Sequence, residues 1–321
     1  MHPKIHISFA AALIAAMLVC AGLCGPRQAS AAKGLVTIEW LSKHINDKGL
    51  VILDVRTFPK YIKSHIPGAV RAFGPWQTMN EDYVGFMMPP VAQLENMLRQ
   101  YGVSNDSFVI IYDQGMTSSD TAKSARALWT LHYLGHTKCA ILNGGFNAWE
   151  QREKPLTSKP TVPLTGNFKA SVNQNKLITL DQLKKKLGKK GCVIVDLREP
   201  HHHFGHEKKS FIPVFGHIKG SLLMPAAYMT IGGQDFSPAY LRDKNSLLHM
   251  AKGSGIPSDT NIEIIVYSNT GLQAALGYFV LNDILGYKNV RLFDGSMLEA
   301  SKDKHVPIVR YSWGWNDYKT K

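Results

Sequence analysis

The segment Ser268-Asn269-Thr270-Gly271-Leu272-Gln273-Ala274 follows the apolar run Ile264-Ile265-Val266-Tyr267 and leads into a helical stretch. A loop that leaves a parallel strand and enters a helix lies at the carboxyl edge of the sheet, where α/β folds bind ligands. Its backbone N–H groups and the helix N-terminus favour an anion. These seven residues are therefore the candidate anion- or ligand-binding loop, with Ser268 as the candidate nucleophile. A serine hydroxyl stays neutral near neutral pH unless a positioned base takes its proton. No Gly-x-Ser-x-Gly elbow surrounds Ser268, so a serine hydrolase would need a base brought from elsewhere. His201, His202 and His203 are the histidines that could approach. With His206 they could also hold Zn or Cu. Adjacent side chains diverge, however, and metal ligands converge from spaced positions. The expectation is a polar, partly exposed loop with no metal, His201, His203 and His206 being the weak candidates. An earlier loop, Asp113-Gln114-Gly115-Met116, offers Asp113, expected to cap the helix that follows. Arg126 on that helix is expected either to face an interdomain cleft or to be solvated or ion-paired.

The elements that must position these residues come in two copies. Val36 to Arg56 and Ile178 to Arg198 align without a gap at an offset of 142, with Thr, Leu, Lys, Gly, Val, Ile, Asp and Arg recurring in place. Each copy predicts a Thr N-cap, an amphipathic helix ended by Gly49 or Gly191, and a strand apolar enough to be buried on both faces. The later landmarks repeat in order. His65-Ile66-Pro67-Gly68-Ala69 answers His217-Ile218-Lys219-Gly220-Ser221, and Val109 to Tyr112 answers Ile264 to Tyr267. Asn143-Gly144-Gly145 answers Asp294-Gly295-Ser296. Strands alternating with helices imply a parallel sheet covered on both faces. The fold expected is α/β, with two like domains at 35–155 and 176–321 and a Pro- and Gly-containing linker at 156–175. Asp113 and Ser268 then hold the same position in the two copies.

Asp54-Val55-Arg56, His65-Ile66-Pro67-Gly68-Ala69 and Asn143-Gly144-Gly145-Phe146-Asn147-Ala148-Trp149 resemble a rhodanese domain. Asp196-Leu197-Arg198, His217-Ile218-Lys219-Gly220-Ser221 and Asp294-Gly295-Ser296 resemble the second domain of tandem rhodaneses, so the resemblance spans nearly the whole chain. That family includes thiosulfate and mercaptopyruvate sulfurtransferases. It implies an inactive N-terminal domain, which Asp113 resembles, and an active loop of the form Cys-x-x-Gly-x-x-Ala in the second domain, at the domain interface. Gly271 and Ala274 match that spacing, but Ser268 takes the cysteine position. Asn269 and Thr270 stand where thiosulfate sulfurtransferases carry cations, and His202 aligns with a family arginine. A thiolate can store sulfur as a persulfide, whereas a neutral hydroxyl offers no comparable O–S store. A rhodanese-like phosphatase is excluded, since it needs Cys at 268 and Arg at 274.

The chain has 321 residues, 45% hydrophobic and 19% charged, which excludes a disordered or coiled-coil protein and suits two domains. Lys4, the apolar run Phe9 to Cys24 and Ala29-Ser30-Ala31 read as a secretory signal cleaved after Ala31. An uncleaved membrane anchor and a lipid on Cys20 or Cys24 are the alternatives. Cleavage removes Lys4 and Arg27 and no acid, leaving 35 basic against 24 acidic residues and a charge of +11. Such a surface favours small oxyanions or an acidic protein partner. No zinc-finger spacing or basic-aromatic motif points to nucleic acid. Cys139 and Cys192 remain and read as small buried hydrophobes rather than a disulfide. Lys184, Lys185, Lys186, Lys189 and Lys190 form a solvated face or a docking patch. The reading is an exported, catalytically degenerate rhodanese-like protein in the periplasm or secreted, with no cofactor. It would bind an oxyanion or a partner at the interdomain cleft. The alternatives are a working thiosulfate sulfurtransferase-type enzyme and a docking subunit of an envelope redox complex.

Overall fold

A computed structural model describes residues 34–80 and 85–311. The expected signal, with Cys20 and Cys24, lies outside the described residues. The first repeat runs β1 (Leu35–Val36), α1 (Ile38–His44), β2 (Leu50–Asp54), α2 (Phe58–Lys63), β3 (Ala69–Arg71), β4 (Thr78–Met79), β5 (Phe86–Met87), α3 (Val91–Gln100), β6 (Phe108–Tyr112), α4 (Ser118–Tyr133), β7 (Cys139–Leu142) and α5 (Gly145–Gln151). The second runs β8 (Leu177–Ile178), α6 (Leu180–Lys186), β9 (Cys192–Asp196), α7 (Pro200–Phe204), β10 (His217–Ile218), β11 (Leu222–Leu223), β12 (Thr230–Ile231), β13 (Tyr240–Leu241), α8 (Lys244–Gly253), β14 (Glu263–Tyr267), α9 (Leu272–Phe279), β15 (Asn289–Phe293), α10 (Ser296–Ala300) and β16 (Ile308–Val309). The two main sheets are parallel, in the orders β1-β7-β6-β2-β3 and β8-β15-β14-β9-β11. The central strands, β6 and β14, therefore carry the two loops at corresponding places.

Local chemistry explains the matched elements. Thr37 accepts from the Trp40 N–H, and Thr179 forms a capping box with Gln182, satisfying donors that a helix start leaves open. The helix ends differ from expectation. Helices α1 and α6 stop at His44 and Lys186, and Gly49 and Gly191, both at φ +82°, serve instead in the turns that enter β2 and β9. Left-handed backbone is what these turns require, and glycine adopts it without a Cβ penalty.

Packing then joins the repeats. Helix α4 lies against α9, and one apolar cluster runs from Leu53 and Trp129 in the first repeat to Ala275, Leu276 and Leu292 in the second. His132 Nδ1 and the Tyr278 hydroxyl meet across this seam at 3.1 Å. The expected linker is a strap rather than a free hinge. His65 and Thr157 exchange backbone hydrogen bonds, Arg99 Nε donates to the Phe168 carbonyl at 2.7 Å, and the Phe168 ring is buried in the shared core. Cys139 on β7 and Cys192 on β9 are free and stand in different sheets. Lys184 pairs with Asp181 and Asp303, and Lys186 with Glu263, so part of the lysine run is spent within the second domain.

Candidate functional site

The two Asp-x-Arg strand ends are built alike. Arg56 Nη2 lies 2.6 Å from Asp54 Oδ2, and Arg198 Nη2 lies 2.7 Å from Asp196 Oδ2. Tyr112 and Tyr267, the last residues of β6 and β14, donate their hydroxyls to Asp54 and Asp196. Burial alone would raise the Asp196 pKa, but Arg198 and a hydrogen bond from His203 outweigh it and hold the carboxyl below the usual range. These pairs tie each central strand to its neighbour and aim the following loop.

Residues 268–271 form the loop between β14 and α9. The Ser268 N–H donates to Ser296 Oγ at 3.0 Å, and Ser296 Oγ donates to the Phe293 carbonyl. The Ser268 and Asn269 carbonyls accept from Met297 and Leu298. Ser268 is wholly buried, and neither its Oγ nor Asn269 Oδ1 has a hydrogen-bond partner among the described residues. Gly271, at φ +81°, starts α9. Thr270, Leu272 and Gln273 are half-buried, and Gly271 and Ala274 are buried. Of the expected anion-binding loop, the Ser268 amide is taken by Ser296, and the first repeat covers the loop at Gly271, where Arg126 approaches.

That cover is an ion pair. Arg126 of α4, only 1% exposed, grips Asp294 with both terminal nitrogens, and its Nε donates to the Trp76 carbonyl at 3.2 Å. The Met88 N–H adds a third donor to Asp294, on Oδ2 at 2.7 Å. Arg126 therefore does reach the interdomain face, already paired. The sequence marked Asp294 as a repeat landmark but not as the partner of Arg126, because 168 residues separate them. Two cavities flank the pair. One, of about 430 Å³, is lined by Phe73, Trp76, Gln77, Lys123, Arg126 and Leu272 among others. The other, of about 190 Å³, includes Met87, Met88, Thr179, Asp294 and Glu299. Burial, with Asp294 and Asp181 nearby, pushes the Glu299 carboxyl up to about 7.

Asp113 sits at the corresponding point after β6, and the helix α4 is capped by Thr117 rather than by Asp113. The Asp113 carboxylate accepts from the Gly115 N–H and from Ser124 Oγ, the latter at 2.7 Å. Burial pushes its pKa up to about 7, against the lowering effect of those hydrogen bonds. This loop is covered by the second repeat. The Ala239 N–H donates to the Gly115 carbonyl at 2.7 Å, and Asn147 and Gln151 both donate to the Phe236 carbonyl. The β12–β13 segment of the second repeat thus covers the Asp113 loop, whereas in the other direction Arg126 of α4 stands beside Gly271 and the residues around β5 meet Asp294 and Gly295.

His201, His202 and His203 lie on the short helix α7 rather than in a polar loop, and exposed His206 follows the helix. His203 Nδ1 is 3.0 Å from Asp196 Oδ2, and its ring stacks on His217 at 3.7 Å. His201 faces Glu207 at 3.9 Å. Burial, with His201 and Arg198 nearby, holds His202 down to about 4, so its ring is neutral near neutral pH. Its Nδ1 is buried without a partner among the described residues. Among the described residues no group of three or more His, Cys, Asp and Glu side chains is placed to hold a metal ion.

A family model described as "Rhodanese-like domain" matches residues 37–152 and again 179–303. The chain belongs to the rhodanese family. Among curated rhodanese relatives, a "Putative thiosulfate sulfurtransferase" of Synechococcus elongatus is 28% identical over 312 residues, covering 95% of this chain and 94% of that protein. The thiosulfate sulfurtransferase of Bos taurus is 28% identical, over 83% of this chain and 91% of its own length. Among solved structures, the 3-mercaptopyruvate sulfotransferase SseA from Escherichia coli, itself a rhodanese fold, superposes with a TM-score of 0.67 at 25% identity, over 83% of this chain and 99% of that one.

Proposed function

We propose that this rhodanese is an exported, catalytically silent member of the sulfurtransferase family, which binds a ligand or a protein partner at the face between its repeats. Ser268 takes the place of the sulfur-carrying cysteine. The observation that carries the reading is the Ser268 hydroxyl itself, wholly buried and with no base or other hydrogen-bond partner among the described residues. A hydroxyl is a nucleophile only when a base removes its proton, and oxygen does not store sulfane sulfur as a thiolate does. The charges nearby support the same reading. Arg126 is neutralised by Asp294, His202 is neutral, and Asn269 and Thr270 bring no cation. The positive surface favours oxyanions or an acidic envelope partner.

The test is thiocyanate release from thiosulfate and cyanide by the purified chain, with intact-mass analysis after thiosulfate treatment. The expected result is no turnover and no added sulfur on the native protein, with a sulfur adduct appearing in Ser268→Cys. Turnover by the native chain would establish the second reading, a working thiosulfate sulfurtransferase. That reading is favoured by the relatives in Synechococcus elongatus and Bos taurus, named as a putative thiosulfate sulfurtransferase and a thiosulfate sulfurtransferase.

A further inference from the structure

We infer that the cavity of about 430 Å³ beside α4 is a ligand site for a flat aromatic carboxylate bearing a hydrogen-bond donor, an inference that rests on the catalytically silent reading above. Its size falls in the range of small-molecule sites, roughly 300–1,000 Å³, which are mainly apolar with a few convergent polar groups. Phe73, Trp76 and Leu272 supply apolar wall. Phe73 is 57% exposed, so an aromatic body laid against it removes apolar surface from water. A bare oxyanion would exchange its hydration for that wall and lose by it.

The polar groups select the rest of the ligand. Arg126 spends Nε on Trp76 and one N–H of each terminal nitrogen on Asp294. A guanidinium has five N–H donors, so one on each terminal nitrogen is left for a carboxylate oxygen. Its charge is already balanced by Asp294, and the ligand's charge must be met elsewhere. Lys123 lines the same cavity, half-exposed, and among the described residues its ammonium pairs with Asp120 at the surface, an arrangement worth little by itself. Its ammonium can turn to a ligand carboxylate. Gln77 Oε1, in the same wall, is buried and accepts no hydrogen bond among the described residues. A buried acceptor left unpaired is costly, and a hydroxyl or amino group on the ring would meet it.

Titration of the full chain with 2-naphthoate, followed by calorimetry and tryptophan fluorescence, tests the site. We expect saturable binding with Kd below about 1 mM. Phe73→Ala and Lys123→Gln, both at exposed positions, should each weaken it about tenfold. Leu164→Ser, at an exposed leucine of the strap, should leave it unchanged. The ligand 6-hydroxy-2-naphthoate should bind more tightly than 2-naphthoate, and Gln77→Met should abolish that advantage. Absence of binding, binding indifferent to both Phe73→Ala and Lys123→Gln, or displacement by equimolar thiosulfate would overturn the inference. The two readings fail separately. Thiocyanate turnover by the native chain sinks the silent reading whatever 2-naphthoate does, and a silent chain that ignores 2-naphthoate sinks this site alone.

Discussion

The loop after β6 and the loop after β14 are the same piece of architecture with opposite internal chemistry. In both, two successive loop carbonyls accept from the helix after the next strand: Asp113 and Gln114 from Phe146 and Asn147, Ser268 and Asn269 from Met297 and Leu298. At the first position, however, Asp113 is a carboxylate with two donors, whereas the Ser268 hydroxyl has no hydrogen-bond partner among the described residues. The first loop satisfies itself and is then covered. The second is held from outside, by a buried ion pair that crosses from the other repeat. Backbone geometry was thus duplicated, while the side chains divided the work between a self-contained structural loop and one that depends on the domain seam.

Breaking that seam should give the largest effect. Arg126→Met leaves Asp294 buried without its cation, and removal of one member of such a pair costs about 3–5 kcal/mol. Urea unfolding should show this loss, with much of it recovered in Arg126→Met/Asp294→Leu. A loss of less than about 1 kcal/mol would mean that the second loop does not depend on the first repeat.

Glycine substitutions come next. A Cβ on Gly115, at φ +72°, would stand 2.0 Å from the Gly144 carbonyl oxygen, whereas at Gly271 the nearest atoms, at 2.9 Å, include the movable Arg126 and Asp294 side chains. Gly115→Ala should therefore cost about 2–4 kcal/mol, and Gly271→Ala less. Thermal unfolding with equal costs, or the reverse order, would remove this contrast between the loops.

The pH dependence, spread over several pH units, has a definite sign. The folded Asp113 pKa of about 7 lies above the unfolded value of ~3.9. The folded state therefore holds a proton that the unfolded chain releases between those values. Stability from this group is greatest below ~3.9 and declines as pH rises to about 7. Asp113→Asn should remove that decline, gaining up to about 4 kcal/mol at alkaline over acid pH relative to the native chain, the ceiling set by a shift of roughly three pKa units. Glu299, raised to about 7 as well, contributes a decline of the same sign, which Asp113→Asn leaves in place and Glu299→Gln removes. A parallel shift of the unfolding curve at all pH values would show that Asp113 is ionised in the fold throughout.

The smallest effect is expected at Ser268. Removing a buried hydroxyl that makes no hydrogen bond among the described residues relieves a desolvation cost, so Ser268→Ala should be neutral or stabilising by up to about 1 kcal/mol. A clear loss of stability in the denaturation midpoint would reveal a partner for that oxygen and erase its contrast with Asp113.

Much of the scaffold could be read locally. Thr37 and Thr179 cap the helices where their hydroxyls precede amphipathic stretches, and the central strands fall where the apolar runs stand. The family motifs placed both loops. Other features depend on partners too far apart in the chain for any local pattern to indicate. The His201–His203 run looks alike residue by residue, yet Asp196 and His217 take up His203 while His202 is buried neutral. The prolines and glycines of 156–175 mark a linker, and only the burial of Phe168 makes that linker a strap.

Residue order by itself therefore determined the duplicated α/β scaffold, because propensity, capping and apolar periodicity act over a few residues. It also determined that an oxygen, not a sulfur, heads the second loop. Only tertiary structure decided that each loop is met by the opposite repeat and that Arg126 spends its charge on Asp294. Burial and charge balance are settled by which surfaces meet, and that meeting is a property of the packed chain as a whole.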